Sequence, residues 1–164
     1  MGKPDATFKS IKGYMMTRNI SLTVIIFIVL VFLATVYDFS SADMDKVLST
    51  KQCQNCDLTM EDLSGTTLAE VDLSNANLSG AKLTKTDLSN ANLTGANLTE
   101  ADLSNANLFG ANLTNANLLK ANLFGANLTD ANLTGAHMFG ANFSNALWTD
   151  GTICKEGSIG KCRK

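Results

Sequence analysis

From residue 58 to residue 148 a large apolar side chain returns at every fifth position: Leu58, Leu63, Leu68 and so on through Leu133, then Met138, Phe143 and Trp148. The nineteen units so defined have the form Ala-Asn/Asp-Leu-Ser/Thr-X, as in Ala91-Asn92-Leu93-Thr94-Gly95. A half-buried strand alternates apolar and polar residues with period two, and an amphipathic helix spaces them by three and four. A strict period of five satisfies neither, since helical geometry would carry these leucines around the whole cylinder. It fits a chain that runs extended for two or three residues, turns a corner and repeats. Residues two apart in an extended segment share a face, so Ala91 and Leu93 point inward together. Asn92, Thr94 and Gly95 are left for the outside and the corner, where Asn, Asp, Ser and Gly tolerate tight turns. A repeat at a fixed short period takes precedence over every other fold argument.

The units of residues 56–150 resemble the pentapeptide-repeat family, whose pattern is A(D/N)LXX. The resemblance implies an all-β, right-handed quadrilateral β-helix with one unit per side and four per coil. Nineteen units then make about five coils, a rod roughly 20–25 Å long at the usual strand spacing. Burying one Leu contributes roughly 1.5–3 kcal/mol, whereas ordering five residues costs about 1–2 kcal/mol each. A single unit is therefore unstable alone and coils must stack. A stacked rod exposes apolar side chains and unpaired edges at its ends, so both ends need caps. Residues 43–55 read as the N-terminal cap: a short helix, Asp43 placed to cap its first turn, Val47 and Leu48 covering the first coil. Residues 151–164, with Ile153 and Ile159, read as the C-terminal cap.

Ahead of the repeat, residues 1–42 follow another pattern. Lys3, Lys9, Lys12 and Arg18 oppose a single Asp5, residues 20–36 carry no charge, and Ser40-Ser41-Ala42 supplies small residues for a cleavage site. Basic, apolar, then small is the order of a secretory signal peptide. Initiation at Met15 or Met16 in place of Met1 would give it a conventional length. The alternative is an uncleaved signal anchor and N-terminal hydrophobic helix, for which residues 20–36 are near the minimum spanning length. Under the positive-inside rule both readings leave the basic end in the cytoplasm and the repeat outside it. The expected location is the periplasm or cell exterior, or the inner membrane with the repeat beyond the cytoplasm.

Four cysteines suit export: Cys53 and Cys56 at the entrance of the repeat, Cys154 and Cys162 just beyond its exit. Four allow three pairings. On the rod that the resemblance implies, the two ends lie roughly 20 Å apart, while bridged Cα atoms lie within about 7 Å. Pairings 53–56 and 154–162 then remain, each a small loop at one end. A zinc half-site shared between two chains and a redox Cys-x-x-Cys are the rival readings, the latter lacking its βαβ setting.

The mean hydropathy is +0.07 and the formal net charge −2. Nine acidic residues against Lys82, Lys85 and Lys120 give residues 53–148 a net charge of −6. A negative rod repels phosphate, which argues against direct nucleic-acid binding. Family members that mimic duplex DNA and bind DNA gyrase suggest a distant alternative with the right sign of charge, but export would separate this chain from gyrase. With four units per coil, the 15-residue recurrence of Asp57, Asp72, Asp87 and Asp102 places each on a different side. No acidic column forms, and the rhythm reads as duplication history. Ser74, Thr94, Thr114 and Thr134 make a hydroxyl column, the usual residue type at that position.

The strongest departure from the pattern lies after the central Leu, where Phe109, Leu119, Phe124 and Phe139 replace Ser or Thr. Leu119 and Phe139 fall on one side, one coil apart, with Phe124 on the adjacent side, a candidate apolar patch for a protein partner or self-association. His137, the one histidine, occupies an outward Asn position. No Ser-His-Asp set, phosphate loop or nucleotide fingerprint occurs, so no catalytic residue, metal or cofactor is expected. The sequence points to a non-catalytic structural or interaction module.

Overall fold

A computed structural model describes residues 43–164. The leader reading of residues 1–42, including the apolar stretch 20–36, lies outside the described residues. Among the described residues no helix is long and apolar enough to cross a membrane.

Parallel β-bridges join each residue before a central apolar position to the residue twenty further on, beginning at Gln52↔Asp72 and running to Asn127↔Leu147. Twenty residues at five per unit make four sides per coil. Side one carries Gln52, Asp72, Asn92, Asn112 and Asn132; side two Asp57, Asn77, Asn97, Asn117 and His137. Side three carries Asp62, Lys82, Asp102, Asn122 and Asn142; side four Thr67, Asp87, Asn107, Asn127 and Leu147. Gln52 is the first bridged residue and Cys53 is fully buried. The solenoid therefore starts one unit before Leu58, with the Cys53 side chain where a Leu would otherwise stand.

Each side is shorter than the two or three extended residues that the sequence suggests: a single residue is bridged and a turn follows at once. One unit shows how the backbone is satisfied. Leu73 N–H donates to Asn92 C=O at 2.8 Å, Asn92 N–H to Val71 C=O at 2.9 Å, and Ala76 N–H closes the corner on Leu73 C=O at 3.0 Å. The second residue of each turn, every fifth one from Asn55 to Asn145, has φ between 55° and 74°, the left-handed region that Gly and Asn tolerate best. The glycines spaced by 15 residues thus have a physical role. Gly95 lies one coil above Asn75, and a Cβ on it would sit 2.5 Å from the Asn75 Oδ1. Asn and Gly alternate in this corner column because the larger side chain occupies the hollow that its neighbour leaves.

The leucines from Leu58 to Leu128 and nearly all the alanines are buried in one core column. Thr86, which replaces an inward Ala, is buried too and donates to Leu63 C=O at 2.8 Å. Helix α1, residues 43–50, closes the first coil. Val47 is fully buried, but Leu48 is 51% exposed, and Met44, one helical turn before Val47, packs on the core instead. This corrects the expected pair, because residues three apart share a helix face and adjacent ones do not. Asp43 accepts a hydrogen bond from the Asp57 N–H at 2.9 Å, tying the helix to the first coil.

At the far end the chain turns back. Ile153 and Ile159 form antiparallel bridges with Leu147 and Asn142, which lie on sides four and three. Cys154 and Ser158 point inward and are fully buried, while Ile153 and Ile159 are 65% and 55% exposed. Phe143 and Trp148 fill the last coil beneath this cap in an edge-on pair, ring centroids 5.1 Å apart.

Candidate interaction surface

The outer face is built from one position per unit, the bridged Asn or Asp, and its chemistry depends on the side. Asn carries both a donor and an acceptor; Asp, when ionised, only accepts. Asn92 Nδ2 donates to Asp72 at 3.0 Å, Asn97 to Asn77 at 3.1 Å and Asn77 to Asp57 at 3.4 Å. Asn107 donates to Asp87 at 2.9 Å and Asn127 to Asn107 at 3.2 Å, while Asn122 donates to Asp102 at 3.0 Å and Asn142 to Asn122 at 3.2 Å. In each pair the donor belongs to the later coil. An Asp can start such a ladder but cannot continue it, having no donor for the coil before.

Asp57, Asp72, Asp87 and Asp102 each stand at the foot of one ladder, one on every side. Their 15-residue spacing is therefore more than duplication history: it winds one ladder start onto each of the four sides. Their oxygens also accept from the backbone N–H two residues on, as Ser74 N–H does for Asp72 at 3.0 Å. For Asp57, hydrogen bonds from Thr59 are foremost in holding the pKa below the ordinary carboxylate value, and for Asp87 those from Ser89. At Asp72 and Asp102 partial burial is the largest single influence and pushes upward, but hydrogen bonds from Ser74 and Ser104 with those of neighbouring side chains together outweigh it.

The hydroxyls after the central Leu are engaged in the same way: Thr94 Oγ1 donates to Asn92 at 2.7 Å and Thr114 Oγ1 to Asn112 at 2.6 Å. Phe109, Leu119, Phe124 and Phe139 occupy that position without a hydroxyl. Phe109 and Phe124 are 42% and 41% exposed and Phe139 81%, whereas Leu119 is half-buried. They lie on side four (Phe109), side three (Phe124) and side two (Leu119 and Phe139), so the apolar positions wind around the C-terminal half of the rod. His137 is exposed on side two, bridged to Asn117.

The structure joins Cys53 to Cys56 and Cys154 to Cys162, with Cα atoms 5.2 Å and 5.1 Å apart. Asp43 comes within reach of the first pair, the three potential ligand atoms lying within 4.8 Å of one another. Zinc binds thiolate, which a disulfide does not present, so this donor set does not fit a metal as it stands. Asp43 was not legible as a neighbour of the cysteines because the turn between helix and first coil brings them together.

A feature that no periodicity signals is the asymmetry of the last coil. The returning chain covers sides three and four only. On sides one and two the inward Leu133 and Met138 are partly exposed, although their counterparts Leu113 and Leu118 one coil earlier are fully buried. Among the described residues the Leu133 and Met138 N–H groups and the Ala131 and Ala136 carbonyls have no backbone partner on the outer side of this coil.

Residues 52–84, 72–108 and 106–145 match the family model described as pentapeptide repeats, in eight copies. Among solved structures the chain is similar to HetL, a pentapeptide repeat protein involved in heterocyst differentiation regulation from the cyanobacterium Nostoc sp. strain PCC 7120. Identity is 40% over 62% of this chain, with a TM-score of 0.34, and the match spans about half (51%) of HetL. It is similar to a pentapeptide repeat protein from the Arabidopsis thaliana thylakoid lumen, 34% identical over 64% of this chain and 74% of that one, TM-score 0.47. It is also similar to Rfr23, a pentapeptide repeat protein from the cyanobacterium Cyanothece 51142, 32% identical over 66% of this chain and 98% of that one, TM-score 0.38. Among curated proteins the chain has no match.

Proposed function

The chain belongs to the pentapeptide-repeat family, and from that premise we propose that it is a non-catalytic, right-handed rod, exported to the periplasm or cell exterior, that acts as a structural or protein-interaction module. One observation carries the interaction reading. Most of the outward polar groups are engaged within the rod, in Asn ladders and Asn–hydroxyl pairs, while Phe109, Phe124 and Phe139 are exposed without such a role. Burying an exposed aromatic is favourable by its area, and Phe139, at 81% exposure, has the most to gain. Leu119 sits one coil below it on the same side and completes the apolar strip. A protein partner, a second copy included, is the occupant that such a strip suits.

Export rests on the basic, apolar and small succession of residues 1–42 and on the four cysteines, which form disulfides readily only in an oxidising compartment. In the second reading the leader stays uncleaved and the rod works as a scaffold on an inner-membrane complex. Gyrase binding by DNA mimicry is a distant third. It has the negative charge, but the four ladder aspartates face four different directions and build no continuous acidic stripe.

Mass spectrometry of the mature chain separates the first two: a chain beginning at Asp43 means release, one retaining residues 20–36 means an anchor, and a cytoplasmic chain would sink both. For the apolar strip, capture of envelope proteins by wild type is compared with capture by the Phe124→Ser, Phe139→Ser double variant. The double variant is expected to lose at least one partner, and an unchanged set would discard the strip.

A further inference from the structure

We propose that two copies of the chain interlock end to end at their C-termini, each cap completing the open half of the other's last coil. The inference goes beyond the apolar strip and rests on backbone groups. In the body of the rod, a bridge such as Asp72↔Asn92 consists of the Leu73 N–H donating to Asn92 C=O and the Asn92 N–H donating to Val71 C=O. On sides one and two of the last coil the matching groups are present and unpaired among the described residues: Leu133 N–H with Ala131 C=O around Asn132, and Met138 N–H with Ala136 C=O around His137.

The cap carries the complement. Trp148 N–H donates to Thr152 C=O and Cys154 N–H to Ala146 C=O, while Phe143 N–H donates to Ser158 C=O and Gly160 N–H to Ala141 C=O. In this antiparallel arrangement the N–H and C=O of Ile153 and Ile159 point away from the chain's own last coil, and neither residue has a backbone partner there among the described residues.

A two-fold axis perpendicular to the rod, along the boundary between the covered and open halves, brings these sets together. It carries the second copy's side four onto side one and its side three onto side two. Turning a copy over also reverses the sense in which its chain circulates. A cap that is antiparallel to its own last coil then runs parallel to the coil it meets, the relation that every stacked coil already has. Ile153 of the second copy falls above Asn132 and its Ile159 above His137, in the same chain order. Each residue offers the N–H and C=O that Ala131 and Leu133, or Ala136 and Met138, lack. The operation is its own inverse, so both open halves close at once, as an isologous interface requires. Leu133 and Met138 become covered like the leucines beneath them. The contact is confined to the last coil and its cap, so the dimer is expected to form reversibly.

The test uses the full chain in mild detergent, with sedimentation across a concentration series and amide hydrogen exchange read at Leu133 and Met138. A reversible monomer–dimer equilibrium is expected, with both amides protected in proportion to the dimer. Ile153→Pro with Ile159→Pro removes two N–H groups that no described residue of the same copy accepts, and should weaken association at least about tenfold. Glu70→Gln, on the exposed first coil, should not alter it. A monomer at high concentration, or a folded proline variant that still dimerises, would overturn the proposal. Should the proline variant not fold, wild-type exchange decides. Protection of the two amides in the monomer means that another segment covers the edge, and lack of protection in the dimer means that association occurs elsewhere; either overturns it.

Discussion

The third coil and the fifth are made from the same five-residue unit, yet they are in different physical states. Around Leu93, Leu98, Leu103 and Leu108 every central side chain is fully buried, and backbone bonds run to the coils before and after. Around Leu133 and Met138 the same inward positions are partly exposed and nothing described pairs with the outer backbone, while Phe143 and Trp148 on the other two sides lie under the returning chain. The unit does not carry its own stability. It acquires it from neighbours above and below, as a one-dimensional stack must, and a side with one neighbour has about half of the contacts.

The largest effect expected from this difference is in core truncation. Leu98→Ala, in the closed body, should destabilise by about 3–4 kcal/mol through lost burial and a residual cavity. Leu133→Ala, in the open coil of the monomer at low concentration, should cost about 1 kcal/mol, because water already reaches the site. Urea denaturation of the two variants measures this, and equal losses would show that the fifth coil is closed in solution.

A smaller effect tests the corner column. Gly95→Ala meets both an unfavourable φ of +68° and the Asn75 Oδ1 at 2.5 Å, whereas Gly65→Ala has the same φ with open space around it. Losses of about 2 and about 1 kcal/mol are expected from strain with and without the clash. If Asn75→Ser in the Gly95→Ala background restores no stability, the packing account of the Asn–Gly alternation fails.

The gentlest perturbation is acid, and it divides the rod by coil. The ladder-starting aspartates lie in the first three coils and their pKa values are lowered in the folded chain, by hydrogen bonds from Thr59 and Ser89 at Asp57 and Asp87, and against opposing burial at Asp72 and Asp102. A folded value below the unfolded one, about 3.9, means the stabilisation is fully present above pH ~4 and is lost as pH falls through the folded values. Hydrogen exchange in acid should therefore loosen residues 57–107 before 122–147. Replacing the four aspartates by Asn, which preserves the acceptors, should abolish that order. At the C-terminal end Asp150, hydrogen-bonded by Lys164 and Thr152, is lowered as well, so loss of its ion pair marks a separate, local event.

Much of this architecture was legible in the one-dimensional pattern. A period of five with Ala and Leu two apart names the inward residues, from Leu58 to Phe143, because side-chain direction in an extended unit follows from local backbone geometry alone. The recurrence of Gly and Asn as the second residue of each turn likewise reflects a purely local demand for positive φ. What escaped the pattern involves residues a coil or more apart. Cys53 belongs to the first coil although it is no Leu; Met44 rather than Leu48 meets the core; the aspartates start ladders whose partners lie twenty residues away.

The half-covered last coil lies furthest from sequence reasoning. Leu133 and Met138 obey the repeat as faithfully as Leu113 and Leu118, and only the path of the chain after residue 150 decides that they are left partly open. Local geometry sets which way a side chain points; whether anything waits there to cover it depends on stacking, and stacking is a property of the folded chain.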